Sequence, residues 1–301
     1  MEIGDYPSLF AAADTAANKA KRKYYLLLGV QLSIFVLTFF AATLSSKGNG
    51  FFSRVSAFLL GASLIISWIS RAQHYDKSWY ESRSIAEAVK TLTWRYMMQA
   101  EPFLIGHDSV AAQKAFASEL QQIRRAHARA ADELTDFASS PVVFSPHIEE
   151  VRNAEWQSRK QEYISRRLEP ERIWYESNAR NSSSESERWL WPVIISQVLA
   201  LFFAVVQPPL RMREFNPVSF LMMIASTITA WGQAKRHDEA AHSYASVART
   251  LGELQSVADI EARDTVSLAD FVSTVEQVIA KERTAWQIKR SVAIDIDPDR
   301  P

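Results

Sequence analysis

The chain has 301 residues, equal numbers of acidic and basic side chains, and no cysteine. Disulfides and thiolate metal sites are excluded, and no global positive field points to nucleic acid. Eight glycines and eleven prolines leave little material for turns, so long runs of periodic apolar residues favour an all-α chain.

Residues 1–23 read as a helix ending in Lys19, Lys21, Arg22 and Lys23. Residues 24–44 then run without a charge, and a helix needs about 20 such residues to cross hydrocarbon. A second apolar run follows at 51–70, with Arg54 near one end, where it snorkels. The turn between them holds Lys47, Gly48, Asn49 and Gly50. The first run is too long for a signal peptide, and another follows it at once. Residues 24–70 are therefore a transmembrane hairpin.

Residues 71–188 are the central cytoplasmic helical region. The second span has no evident stop, so the helix is expected to continue to about residue 100, before Pro102. His107-Asp108-Ser109 offers a cap for the next helix. There Phe116, Leu120, Ile123, His127, Ala130, Leu134 and Phe137 recur at steps of four and three, a heptad-like seam suited to packing within the chain or between copies. Ser139-Ser140-Pro141 and Pro146 break the pattern. Residues 148–188 resume it, punctuated by Pro170, and Glu149-Glu150 read as solvated charges.

Residues 189–232 form a second hairpin, with spans at 189–210 and 216–232 around Pro208, Pro209 and Pro217. Trp68, Trp189, Trp191 and Trp231 gather at one end of the spans, where interfacial aromatics belong. Lysine and arginine flank the outer ends of the hairpins more densely than their turns, which places both termini in the cytoplasm. Residues 233–290 are again helical, with a capping pattern at Ser267 and Asp270, and residues 291–301 form an acidic, disordered tail.

The two halves repeat. A shift of 162 positions carries Phe58, Leu59, Ile66, Ala72, Asp76, Ser84, Ala86 and Leu92 onto Phe220, Leu221, Ile228, Ala234, Asp238, Ser246, Ala248 and Leu254. A shift of 166 carries Gln31 onto Gln197. Each half starts and ends on the same side, so the repeat is parallel rather than the inverted kind common in transporters.

Chemistry-bearing patterns are few. No glycine-rich phosphate loop follows a strand, His237 and His242 are too far apart in register to share a metal, and no serine has an identifiable base. No enzyme activity, cofactor or metal is expected. No ionisable residue sits mid-span, against a proton relay. Gln31, Ser33, Ser196 and Gln197 are neutral polar groups that either glue helices or line a wet path. Trp79-Tyr80-Glu81-Ser82 and Trp174-Tyr175-Glu176-Ser177 repeat a tetrapeptide in two stalks; these aromatics serve either as core or as a partner platform.

The stretch Asp76–Phe103, DKSWYESRSIAEAVKTLTWRYMMQAEPF, resembles the stalk after the membrane hairpin in bacterial SLATT proteins, the SMODS- and SLOG-associating two-transmembrane effectors. Arg172-Ile173-Trp174-Tyr175, ahead of the second hairpin, looks like another member, so the resemblance covers the chain as a tandem fusion. It implies a conflict-system effector in the inner membrane, working beside a nucleotide-second-messenger synthase or SLOG-type sensor. Such an effector would form a homo-oligomer and breach the bilayer on a signal. The alternatives are a membrane scaffold for a cytosolic partner and a constitutive channel subunit.

Overall fold

A computed structural model describes residues 3–44, 50–104, 109–127, 130, 134, 144–206 and 216–292, the side chains of 282–292 excepted. The hairpin turns around residues 48 and 208, the His107-Asp108 cap, Phe137, the 139–141 break and the tail from 293 lie outside these residues. The described residues contain helices and no strand.

In chain order the helices are α1 (Ser8–Leu44), α2 (Gly50–Gln73), α3 (Tyr75–Met97), α4 (Ser109–Ala126), α5 (Pro146–Asn153) and α6 (Trp156–Tyr163). A five-residue π-helical turn, Ile164–Leu168, leads into α7 (Glu169–Val206). Then come α8 (Pro217–Lys235), α9 (His237–Glu261) and α10 (Thr265–Val292). Pro170 accounts for the π turn: it brings no N–H to the ladder and its ring crowds the carbonyl four residues back, so the preceding turn widens.

The stalk does not continue unbroken from the second span. His74 adopts a left-handed backbone (φ 43°) and separates α2 from α3. Arg236 (φ 51°) does the same between α8 and α9. The two positions differ by 162, the shift that aligns the sequence halves. Left-handed residues end helices, usually as glycine or asparagine; neither His74 nor Arg236 carries that signal. The last helix is capped one turn earlier than Ser267/Asp270 suggested. Ser267 N–H donates to Asp264 Oδ1 at 2.8 Å, and Asp264 N–H donates back to Ser267 Oγ at 3.0 Å, a reciprocal capping box.

The chain divides into two units, one comprising residues 1–20, 76–177 and 243–301, the other residues 21–75 and 178–242. The first has one apolar core drawing on the start of α1 (Tyr6, Ala13), on α3 (Ile85, Val89, Trp94, Tyr96), on Phe116 of α4, and on Leu251, Leu268, Val272 and Ile279. The stalks of the two sequence halves therefore share a core.

The second unit inverts the usual pattern. Its buried positions are mostly small: Ala41, Ser56, Ser63, Ser196, Ala200 and Ala225. Its large apolar side chains point outward, Phe58 at 76% and Leu64 at 73% exposure among them. Small residues at helix contacts and large ones outside are the packing of helices in lipid, where close backbone approach replaces hydrophobic burial. The long helical stretches Ser8–Leu44, Gly50–Met97 and Trp156–Val206 are each long and apolar enough to span a membrane. α8 is not among them: Ser219, Ser226, Thr227, Thr229 and Gln233 dilute its 19 residues.

Candidate functional site: membrane amides, stalk aromatics and buried charges

Within the membrane unit, Gln31 of α1 donates from Nε2 to Ser63 Oγ of α2 at 2.6 Å. This bond ties the first hairpin together. The other amide atom, Gln31 Oε1, is buried without a donor among the described residues. Gln197 of α7 is exposed, beside outward-facing Ile194, Val198 and Leu201. The two glutamines thus occupy different environments despite their matching register. Ser33 is exposed and donates to Gly29 O at 2.8 Å, and Ser196 is buried and donates to Pro192 O at 2.7 Å. Both hydroxyls are satisfied inside their own helices.

α8 lies along α1. Phe40 meets Phe220 with ring centroids 5.7 Å apart, and Tyr25 meets Trp231 at 6.0 Å. At that second contact Lys235 sits 3.7 Å over the Tyr25 ring and 5.1 Å from Trp231. Trp189 Nε1 donates to Glu185 at 3.2 Å, and Lys23 lies 5.0 Å over Tyr75. Rings and cations collected midway along α1 and α7 and at the end of α8, where the apolar runs begin or stop, have the composition of an interfacial belt.

The repeated stalk aromatics do not play equal parts. Trp79 is buried and stacks on Tyr80 at 4.8 Å. In the second copy Tyr175 is the buried member. Trp174 is 43% exposed, and both pack on Tyr244, at 5.5 and 5.7 Å. Exposed Ile173 adjoins Trp174, so this pair is the solvent-facing apolar part of the motif.

The heptad-like seam packs inside the chain. Phe116, Leu120 and Leu134 are buried, and Ile123 packs against the same core. Phe116 stacks with Tyr96 at 4.9 Å and Phe144 at 5.1 Å. His127 Nε2 lies 3.5 Å from Ser84 Oγ. Residues engaged this way are not free to zip onto another copy.

Sequence reasoning missed a set of buried charges. Arg167, 1% exposed, reaches Glu276, fully buried, through two bonds of 2.8 Å. Glu276 also accepts from Thr91 at 2.7 Å and from Tyr163 at 3.1 Å. Arg167 bonds Glu171 at 3.1 Å, and Glu171 pairs with Lys90 at 3.0 Å. Burial disfavours the Arg167 cation, but its carboxylate neighbours prevail and hold its pKa well above the usual value. One signal was available: Glu276 falls on the face of α10 that carries Val272, Val275 and Ile279, where a charge needs a partner. Glu149, read as solvated, accepts from Tyr96 Oη at 2.8 Å and from Gln113 at 3.1 Å.

Residues 7–160 match the family model for SMODS and SLOG-associating 2TM effector domain 3. Residues 163–286 match that for SMODS and SLOG-associating 2TM effector domain 1. The chain belongs to the SLATT family, as two domains in tandem. No curated protein and no solved structure matches it. Each SLATT domain brings one apolar hairpin, and the buried charges connect the two. Lys90 and Thr91 of the first domain bond Glu171 and Glu276 of the second.

Proposed function

We propose that this tandem SLATT protein is a non-catalytic effector that self-associates and opens a conducting path through the bacterial inner membrane on a cytoplasmic signal. It crosses the bilayer four times, with both termini in the cytoplasm. Its partners are the lipid bilayer, further copies of itself, and a sensor such as a nucleotide-second-messenger synthase or a SLOG-type protein. It uses no cofactor and no nucleic acid. The family match identifies effector domains; the antiparallel run of α8 along α1 supports a fourth crossing.

The observation that carries self-association is Gln197. It faces outward among Ile194, Val198 and Leu201 on a helix apolar enough to span. A primary amide in hydrocarbon without a partner costs roughly 2–7 kcal/mol. A partner amide from a second copy, or water in a shared path, removes that cost. Four helices alone leave no aqueous channel because side chains fill the centre of such a bundle, so conduction needs several copies.

The test is the mass of the purified protein in mild detergent for the parent and Gln197→Leu. The parent is expected as an oligomer and the leucine variant shifted toward monomer. A parent that stays monomeric with and without its sensor would overturn the proposal. A scaffold role has one observation of its own, the exposed Ile173-Trp174 patch. It would appear as sensor binding without any change of membrane potential.

A further inference from the structure

The first unit holds two deeply buried arginines with opposite fates. Arg167 is enclosed by Glu276 and Glu171. Arg159, on α6, keeps only 2% of its surface exposed. Its Nε and Nη1 are buried and have no acceptor among the described residues. The charged group that bears on it is another arginine, Arg152 of α5. Burial, and then that like charge, pull the Arg159 pKa down.

Arg152 is itself buried and committed elsewhere. It donates to the carbonyls of Tyr96 and Phe103, and its guanidinium lies 4.3 Å over the Tyr96 ring. Glu149 is its carboxylate neighbour, and that acid already accepts from Tyr96 and Gln113. Two buried guanidinium groups thus sit on successive helices of the interior, and the one on α6 has no counter-charge among the described residues. A buried cation without a partner is among the costliest arrangements in a folded chain. An anion from outside the chain would remove that cost.

We propose that Arg159 anchors a binding site for a small phosphate-bearing anion, with Arg152 as the second positive charge of the site. The planar fork of a guanidinium matches two phosphate oxygens, and it recognises such groups bidentately. The orphaned Nε and Nη1 are donors of that fork. Two buried cations on successive helices suit a group carrying more than one negative charge, which a phosphate monoester or diphosphate supplies and a chloride does not. The anion comes either free in solution or as the headgroup of an acidic phospholipid. The site does not depend on the pore reading, because it concerns a charge inside the helical unit outside the membrane helices.

The full chain in zwitterionic detergent and phosphate-free buffer provides the test. Its unfolding temperature is followed against inorganic phosphate and inorganic pyrophosphate, with sodium gluconate at matched ionic strength as control. The same measurement in nanodiscs of phosphatidylcholine and of phosphatidylglycerol separates free from lipid-borne phosphate. The expected result is a saturable rise of roughly 5 °C or more at about a hundred times Kd, from pyrophosphate or from phosphatidylglycerol. Arg159→Met should unfold no earlier than the parent without anion, since it loses an unpaired charge, and should not respond to either source. Arg159→Gln, which keeps donors but not charge, is the second variant should the methionine protein not fold. A parent that responds to neither pyrophosphate nor phosphatidylglycerol beyond gluconate overturns the site. So do Arg159 variants that respond like the parent.

Discussion

The buried Arg167–Glu276 pair makes a sharp claim about what holds the tandem together. Glu276→Leu removes an acceptor of four bonds at once: two from Arg167, one from Thr91 and one from Tyr163. Removing one member of a buried pair typically costs about 3–5 kcal/mol, because the remaining charge is left uncompensated. Glu171 still bonds Arg167 at 3.1 Å, so the lower end of that range applies, about 3 kcal/mol. For a unit of this size each kcal/mol moves the unfolding temperature by roughly 2–4 °C, giving a fall of about 6–12 °C. The double variant Arg167→Met/Glu276→Leu leaves no buried charge at that position. Replacing both partners with apolar groups is often neutral or stabilising, so it should recover most of the loss. Circular dichroism of the detergent-solubilised protein at 222 nm, heated at a fixed rate, reads the parent, Glu276→Leu, Arg167→Met and the double variant. A Glu276→Leu protein melting within about 2 °C of the parent, or a double variant falling as the sum of its singles, would refute the reasoning.

Other perturbations follow from the same contacts. Trp94 Nε1 donates to Tyr6 Oη at 3.0 Å, both buried, so Tyr6→Phe orphans an indole N–H and should cost about 1–3 kcal/mol, measured by thermal melting. Burial pushes the Tyr6 hydroxyl up to about 12. Because the unfolded chain releases that proton near pH 10 and the folded one near 12, stability from this group is complete below pH 10 and is lost between about 10 and 12. Tyr6→Phe should flatten that alkaline limb of a stability–pH curve. His74→Gly relieves a left-handed residue and should raise stability by about 0.5–1 kcal/mol; a lowered unfolding temperature would show that the His74 side chain matters more than its backbone. Gln31→Leu deletes the bond to Ser63 and should cost about 0.6 kcal/mol, leaving membrane insertion intact by fractionation. Reporter fusions after residues 48 and 214 should lie outside the cell and a C-terminal fusion inside; a cytoplasmic result at residue 48 would sink the orientation.

Much of the architecture was legible because it rests on periodicity and composition. Long apolar runs located α1, α2 and α7, and the 162-residue shift foreshadowed the matched breaks at His74 and Arg236. The breaks themselves were not legible, since neither residue is a usual left-handed terminator. Nor was the shared core: local patterns show which face of α3 or α10 is apolar but not which helix covers it. Phe116 and Leu120 illustrate this, since a seam of steps four and three looks alike whether its partner is in the same chain or another. The buried charges were hidden for a related reason. Arg152, Arg159 and Arg167 lie in polar stretches where a guanidinium normally faces water. Only long-range packing brings Arg167 to Glu276, 109 positions away, and leaves Arg159 Nε and Nη1 without an acceptor among the described residues. The equality of Gln31 and Gln197 in register failed in space because α2 meets Gln31 through Ser63, while no described side chain bonds Gln197.

Signal-dependent conduction is the central claim, and membrane potential reads it directly. Cells carrying a potential-sensitive dye would express the parent, with and without its genomic neighbours, alongside Gln197→Leu at matched membrane levels. The account predicts depolarisation and growth arrest for the parent when its neighbours are present and the signal is given, and a polarised membrane for Gln197→Leu. A parent that leaves the potential unchanged under every one of these conditions, while still reaching the membrane, would contradict it.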